Sequence, residues 1–377
     1  MSAPRLRPGP PERAGLDPEA LRDLVHDVYG LVAGARPWCA GAVVVAGRGP
    51  VIAVEAAAGW AVRYAAYDPR RDAGVELPPD RRAVMRTDTP FDLASLTKLF
   101  TTVAAMQQLE RGTLGIDARV GAYLPEFRSV VAHDITVRQL LRHTSGLPPE
   151  LPLYDLPDAA ARRAALRSQG PVVEPGEYLY SDLNMLLMQY VLERITRRPL
   201  DVLIRDGITR PLGMTATGFG PCPGAAATED QRRPWGKADR GMLRGAVHDE
   251  NAWVLGGVAG HAGLFSTARD LAVFCRTLLA GGSYGTARIL GPDFVELMLA
   301  PPGLGFLIDK PWFMGELAGR GAAGHTGFTG TSLVLDRVTD TFLVLLATTV
   351  HPRRPATPDS RPRAAAATSL ARAVTPT

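Results

Sequence analysis

The pair of side chains in this sequence best placed to do chemistry is Ser95 and Lys98, in Phe91-Asp92-Leu93-Ala94-Ser95-Leu96-Thr97-Lys98. The apolar spacing of Leu96, Leu99, Val103 and Met106 predicts a helix that starts near Leu93 and ends at Gly112. Ser95 then falls at the helix mouth, where backbone N–H groups lack partners and the positive end of the dipole gathers. Lys98, three residues on, shares its face. Such a serine becomes a nucleophile if the lysine loses its proton, or if the ammonium stabilises the alkoxide. Arginine cannot do the first. Only Lys98, Lys237 and Lys310 among 42 basic residues are lysines, so a lysine here is informative. The competing reading makes Ser95 a helix cap and Lys98 a solvated residue, but a cation in a first turn opposes the dipole.

Several elements must position this pair. Asp17-Pro18 starts a helix carrying Leu21, Val25, Val28 and Leu31. Two β-rich runs, Ala42–Ala46 and Val51–Ala57, flank a glycine-rich turn and read as a hairpin; Thr331–Leu335 and Phe342–Thr348 read as another. Tyr67–Arg82 lacks periodicity and reads as an inserted loop. From about Val137 to Thr267 the chain reads as helical segments broken by Pro/Gly loops, and Arg361–Val374 as a closing alanine-rich helix. The expected fold is α/β plus all-α: an antiparallel sheet flanked by the N- and C-terminal helices, with a helical second lobe. Residues 14–112 and 268–377 would form the sandwich, 113–267 the helical lobe, and 1–13 a flexible tail.

Composition excludes other classes. The 377 residues are 46% hydrophobic and 21% charged with net charge +4, enough for a sizeable core. The arginines are scattered without interleaved aromatics, so no nucleic-acid partner is expected. No apolar run is long enough to span a membrane. The opening residues lack a signal-peptide core, which points to the cytoplasm. Cys39, Cys222 and Cys275 are too few and too distant for a disulfide framework or a zinc site. His248, Asp249, Glu250 and His261 show no helical ligand spacing, so neither metal nor cofactor is expected. His143 reads as a loop-fixing hydrogen bonder, Thr267–Asp270 as a capping box, and Trp60 and Trp253 as possible groove walls.

Taken in order, these motifs resemble the penicillin-recognising serine hydrolases related to class C β-lactamases. Phe91–Lys98 is similar to the nucleophile helix and Leu140-Leu141-Arg142-His143-Thr144-Ser145-Gly146-Leu147 to a family signature. Tyr180-Ser181-Asp182 falls where the family carries Tyr-x-Asn, and His325-Thr326-Gly327 where it carries Lys-Thr-Gly or His-Thr-Gly. Gly256–Leu271 resembles the segment opening a late helix; Gly59–Tyr64 and Val247–Ala252 look closest to the penicillin-binding protein 4B-like branch, with its esterase-like relatives. The resemblance implies two lobes with the site between them. It implies Ser95 as the acylated nucleophile, Lys98 as its partner and Tyr180 as general base or proton relay. Backbone N–H groups of Ser95 and Phe328 would form the oxyanion hole, with His325, Thr326 and Gly327 along the substrate.

Two departures shape the expected activity. Asp182 replaces an amide: it repels an anionic substrate if it faces the cleft, or else pairs with Lys98 and holds it charged. His325 replaces a permanent cation, making carboxylate recognition pH-dependent. A tyrosine with a pKa near 10 needs nearby cations, here Lys98 and protonated His325, to serve as a base. The resulting expectation is a metal-independent serine hydrolase acting through an acyl-enzyme on small esters or D-amino-acid amides. The alternatives are a penicillin-binding module with little turnover, a β-lactam hydrolase or an acyltransferase.

Overall fold

The structure, a computed structural model, describes residues 3–375 of the chain. Its elements relevant to the site are β1 (Arg7–Pro8), α1 (Pro18–Gly30), β2 (Gly41–Arg48), β3 (Val51–Val62), α2 (Thr97–Glu110), α3 (Asp182–Thr196), α4 (Ala268–Leu279), β4 (Leu307–Ile308), β5 (Ala323–Thr326), β6 (Ser332–Asp336), β7 (Thr341–Ala347) and α5 (Arg361–Ala373). The main sheet runs β1-β3-β2-β7-β6-β5-β4, with Ala83–Val84 pairing on β3. All neighbours along that order are antiparallel except β1 with β3.

Alternation along the strands sorts the two faces. On β7, Leu343, Leu345 and Ala347 join β2 residues Ala42, Val44 and Ala46 in a core with Leu21 and Leu24 of α1 and Leu370 of α5. Phe342, Val344 and Leu346 point the other way, with Val43 and Val45, into a larger core shared with α2, α3 and α4. Both faces are covered, which is why β2 and β7 read as continuous apolar runs. Phe100 of α2 stacks on Phe274 of α4 with ring centres 4.4 Å apart. Each such fully buried side chain contributes about 1.5–3 kcal/mol. The nucleophile helix thus packs between α3 and α4, and α4 in turn lies on the sheet.

Three local expectations differ from what is seen. Residues 1–13 were expected as a loose tail, but Arg7–Pro8 pairs with Val51–Ile52 and a 3-10 turn follows at Pro11–Ala14. The insert at 67–82 contributes to a hairpin, Tyr64–Asp68 with Ala73–Glu76, closed by Arg63 and Arg82 on Glu76 at 2.7 and 2.6 Å. Ion pairs rather than apolar alternation hold it, so it has no period to read. The segment before Thr267 is not all helical: Ala227–Gln231 pairs with Gly241–Arg244, and Leu264–Ser266 lies between Phe91–Asp92 and Gly218–Phe219. Ala227–Gln231 is wholly buried although it carries Glu229 and Asp230, so polarity disguised a strand. Among the described residues no helix is long and apolar enough to cross a membrane.

Candidate active site

The nucleophile turn is built by hydrogen bonds from three directions. The Asp92 carboxylate accepts from the Ala94 amide at 2.9 Å and from the His248 amide at 2.6 Å. Thr329 and Thr331 donate to the carbonyls of Asp92 and Leu93 at 2.8 and 3.0 Å. The Leu264 amide donates to Thr97 Oγ1 at 3.2 Å. Ala94 is held at φ +46°, a left-handed conformation disfavoured for a residue with a Cβ. A 3-10 turn at Ala94–Leu96 then feeds α2, and Ser95 is the only residue of Phe91–Phe100 that is not buried. Gly327 approaches this turn so closely that a Cβ would stand 2.4 Å from the Leu93 carbonyl oxygen and 2.1 Å from Thr331 Oγ1. No other residue fits there.

Lys98 is completely buried, and its Nζ meets Ser95 Oγ at 2.9 Å, Asp182 Oδ1 at 2.7 Å and the His261 carbonyl at 3.2 Å. Burial disfavours the ammonium, but the Asp182 carboxylate and the Tyr180 phenol outweigh it and hold the pKa above the ordinary lysine value. Asp182 therefore pairs with the lysine rather than serving as a substrate contact. His261 Nε2 lies 3.0 Å from Asp249 Oδ1. Burial opposes its charge too, yet Asp249 and Asp182 raise the imidazole pKa. The Lys98 ammonium and the His261 imidazole thus face two carboxylates. Asp182, Asp249 and His261 bring one ligating atom each within 4.8 Å of the others. These donors are already engaged by Lys98 and by one another, so the set is poorly suited to a metal ion.

Tyr180 sits over this cluster, its ring centre 5.0 Å from Lys98 Nζ and 4.6 Å from the His143 ring. Burial pushes the phenol above its ordinary pKa, although Lys98 and hydrogen bonds with Lys98 and Ser95 pull downward. The expected help from His325 is missing. Burial, followed by repulsion from Lys98, pushes that imidazole down to about 4, so it is neutral at pH 7. His325 is thus no cation for a substrate carboxylate near neutral pH. Its Nδ1 lies 2.7 Å from the Thr326 carbonyl. A cavity of 460 Å³ opens at Ser95, walled by Trp38, Tyr178, Trp312, His325, Thr326 and Phe328, with Tyr180 and Gly327 also lining it.

Comparison with known proteins places the chain in a family. The model of the Beta-lactamase family matches residues 33–368. The chain belongs to the beta-lactamase family. A putative D-alanyl-D-alanine carboxypeptidase of Escherichia coli K12 is 35% identical over 309 residues, 70% of each chain. Two solved structures share the fold. EstCE1, described as a hydrolase with promiscuous acyltransferase activity, has a TM-score of 0.69 at 22% identity, over 93% of this chain and 98% of its own. The D-amino acid amidase of Ochrobactrum anthropi SV3 has a TM-score of 0.68 at 18% identity, over 94% and 99%. The protein is a serine hydrolase of this family.

Within this beta-lactamase-family site, the structure brings together Ser95, Lys98, Tyr180, Asp182, His325, Thr326, Gly327 and Phe328. His143 fixes a loop, its Nδ1 accepting from the Ser181 amide at 3.1 Å. Trp60 and Trp253 do not wall the groove; Arg82 lies over the first at 5.6 Å and Arg240 over the second at 4.5 Å. Trp38 and Trp312 do, and no sequence signal pointed to them because each comes from a distant, aperiodic segment. The capping box at Thr267 is half made: Thr267 Oγ1 accepts from Asp270 N, while the Asp270 carboxylate accepts from Ala216 and Thr217 instead. Arg363 was also missed; it donates to the Gly327 carbonyl at 3.3 Å and lies over Trp38 at 5.5 Å.

Proposed function

We propose that the protein cleaves small esters or D-amino-acid amides through an acyl-enzyme on Ser95. The observation that carries this reading is the 2.9 Å contact between Ser95 Oγ and a buried, carboxylate-anchored Lys98 at the mouth of an apolar groove. Lys98 stays charged and acts by stabilising negative charge on its neighbours, in keeping with its carboxylate partner. Tyr180 takes the Ser95 proton as the hydroxyl attacks the carbonyl carbon, and returns it to the leaving oxygen or nitrogen. The ammonium offsets the charge on the transient phenolate. The backbone N–H groups of Ser95 and Phe328 stabilise the tetrahedral oxyanion, at about 3–4 kcal/mol per donor. Water then releases the acyl group by the reverse proton path.

The aromatic walls and the neutral His325 favour an uncharged, apolar group in the groove itself. Mass spectrometry of the protein mixed with p-nitrophenyl butyrate, or with a penicillin, tests the reading directly. Ser95 should gain the acyl mass and release it with steady turnover. Ser95→Ala should abolish both, and Tyr180→Phe should slow turnover by about 10²–10⁴-fold. Turnover that survives Ser95→Ala defeats the proposal; a stable penicillin adduct without ester cleavage points instead to a binding module.

A further inference from the structure

A second cavity, of 430 Å³, opens between Leu124–Phe127, the helix Ala159–Ser168 and the C-terminal half of α3. It shares no lining residue with the groove at Ser95. Along α3, Tyr190 and Arg194 follow Asp182 by 8 and 12 positions, which sets them roughly 12–18 Å from the residue that anchors Lys98. The volume falls within the range of small-molecule sites, about 300–1,000 Å³. Leu124, Phe127 and Leu166 are buried and Tyr190 is half-buried, with the Phe127 and Tyr190 ring centres 5.9 Å apart. Together they make an apolar floor.

The rim is cationic. Arg163, Arg167, Arg194 and Arg197 line it against two carboxylates, Glu126 and Glu193. Both carboxylates are already engaged: Glu126 by Arg194, and Glu193 by Gln189 Nε2 at 3.1 Å and the Leu200 amide at 3.0 Å. Arg163, Arg167 and Arg197 form no ion pair among the described residues. Burial and then Glu193 push the Tyr190 phenol above its ordinary pKa, while Arg163 and Arg167 pull it down, so both guanidinium groups act on that ring. Helix dipoles favour cations at C-termini, which accounts for Arg167 and Arg197. They do not account for Arg163, one turn before Arg167 on the same face, where two like charges repel. Arg197 also holds the left-handed cap of α3 at φ +53°, a place where glycine is the unstrained choice. An anion seated among these three side chains relieves the repulsion and meets charges that nothing else meets.

We propose that this cavity binds a small amphipathic carboxylate, its hydrocarbon part on Phe127, Leu166 and Tyr190 and its anionic end among Arg163, Arg167 and Arg197. The occupant is a free acid, one molecule to a cavity of this size. No turnover at Ser95 is needed, so the site stands or falls apart from the proposed function.

Isothermal titration calorimetry of the full-length protein with 4-phenylbutyrate tests it. One saturable site is expected. The double variant Arg163→Gln/Arg167→Gln should weaken binding about tenfold or more, as expected on losing charge-assisted contacts. Both side chains are exposed, so the variant should keep its fold, and its ester turnover should match the wild type. 4-Phenylbutanol, the same skeleton without the charge, should bind about tenfold more weakly than the acid. Equal affinity for the acid in wild type and double variant overturns the proposal, because the ligand then sits elsewhere, in the Ser95 groove for example. An alcohol that binds as tightly as the acid overturns it as well. So does capture of the protein on phosphatidylglycerol vesicles without binding of the free acid, which would make this face a membrane contact.

Discussion

Two charge clusters, one buried and one partly so, lie near the serine turn, and they are finished differently. In one, Glu229 accepts from Arg354 at 2.7 Å and from His248 at 2.8 Å, while Arg354 also reaches Glu250 at 2.5 Å. Its carboxylate is held down to about 2: burial opposes ionisation, but His248 and Arg354 outweigh it. None of its four side chains has a buried atom without a partner. In the other, Lys98 faces Asp182 while His261 faces Asp249, and Asp182 Oδ1 and His261 Nδ1 lack a well-aligned hydrogen bond. A fully partnered network fixes shape. One with spare donors and acceptors can redistribute protons, and that is the one touching Ser95.

Removing one cation from each cluster separates these roles. Lys98→Met should lower ester turnover by about 10³-fold or more while the fold persists, because the group it removes acts on charge that develops in the reaction. Near-normal turnover would erase the distinction between the clusters. Arg354→Met should act in the opposite sense. It strands Glu229 in the interior and should lower the unfolding free energy in urea by about 3–5 kcal/mol, with a smaller effect on turnover.

Acid sharpens the comparison with the smallest step. Burial holds His325 and His351 down to about 4, against 6.5 when free. Their folded pKa values are depressed, so the unfolded chain takes up protons first, and stability falls as pH drops from 6.5 toward 4. At pH 5.5 each should cost about 1.4 kcal/mol. The Glu229 contribution is present above pH 4.5 and is lost only below it, as the pH falls toward 2. Urea midpoints at pH 7, 5.5 and 3.5 should therefore fall in two stages. A flat profile down to pH 4.5 would mean that the histidines are not held neutral.

The sequence spoke clearly where chemistry depends on neighbours in the chain. The i, i+3 spacing of Ser95 and Lys98 and the two hairpins read from β-rich runs about a short turn carried over into the structure, because local geometry sets them. Asp182 was legible only as one of two alternatives, since its choice of Lys98 over the cleft depends on how α3 packs against α2. The neutrality of His325 was hidden altogether; it follows from burial beside Lys98, 227 positions away. Glu229 misled in the other direction, as a charged residue inside a strand that only Arg354 and His248 make tolerable.

The pairing of β2 with β7 joins Ala42 to Ala347. The middle of the sheet therefore cannot close until Ala347 has left the ribosome. The serine is synthesised early, but Gly327 and Phe328 come more than two hundred residues later. A nascent or truncated chain that stops before Phe328 thus carries a hydroxyl with no finished pocket around it, and reactivity is withheld until that strand has been made.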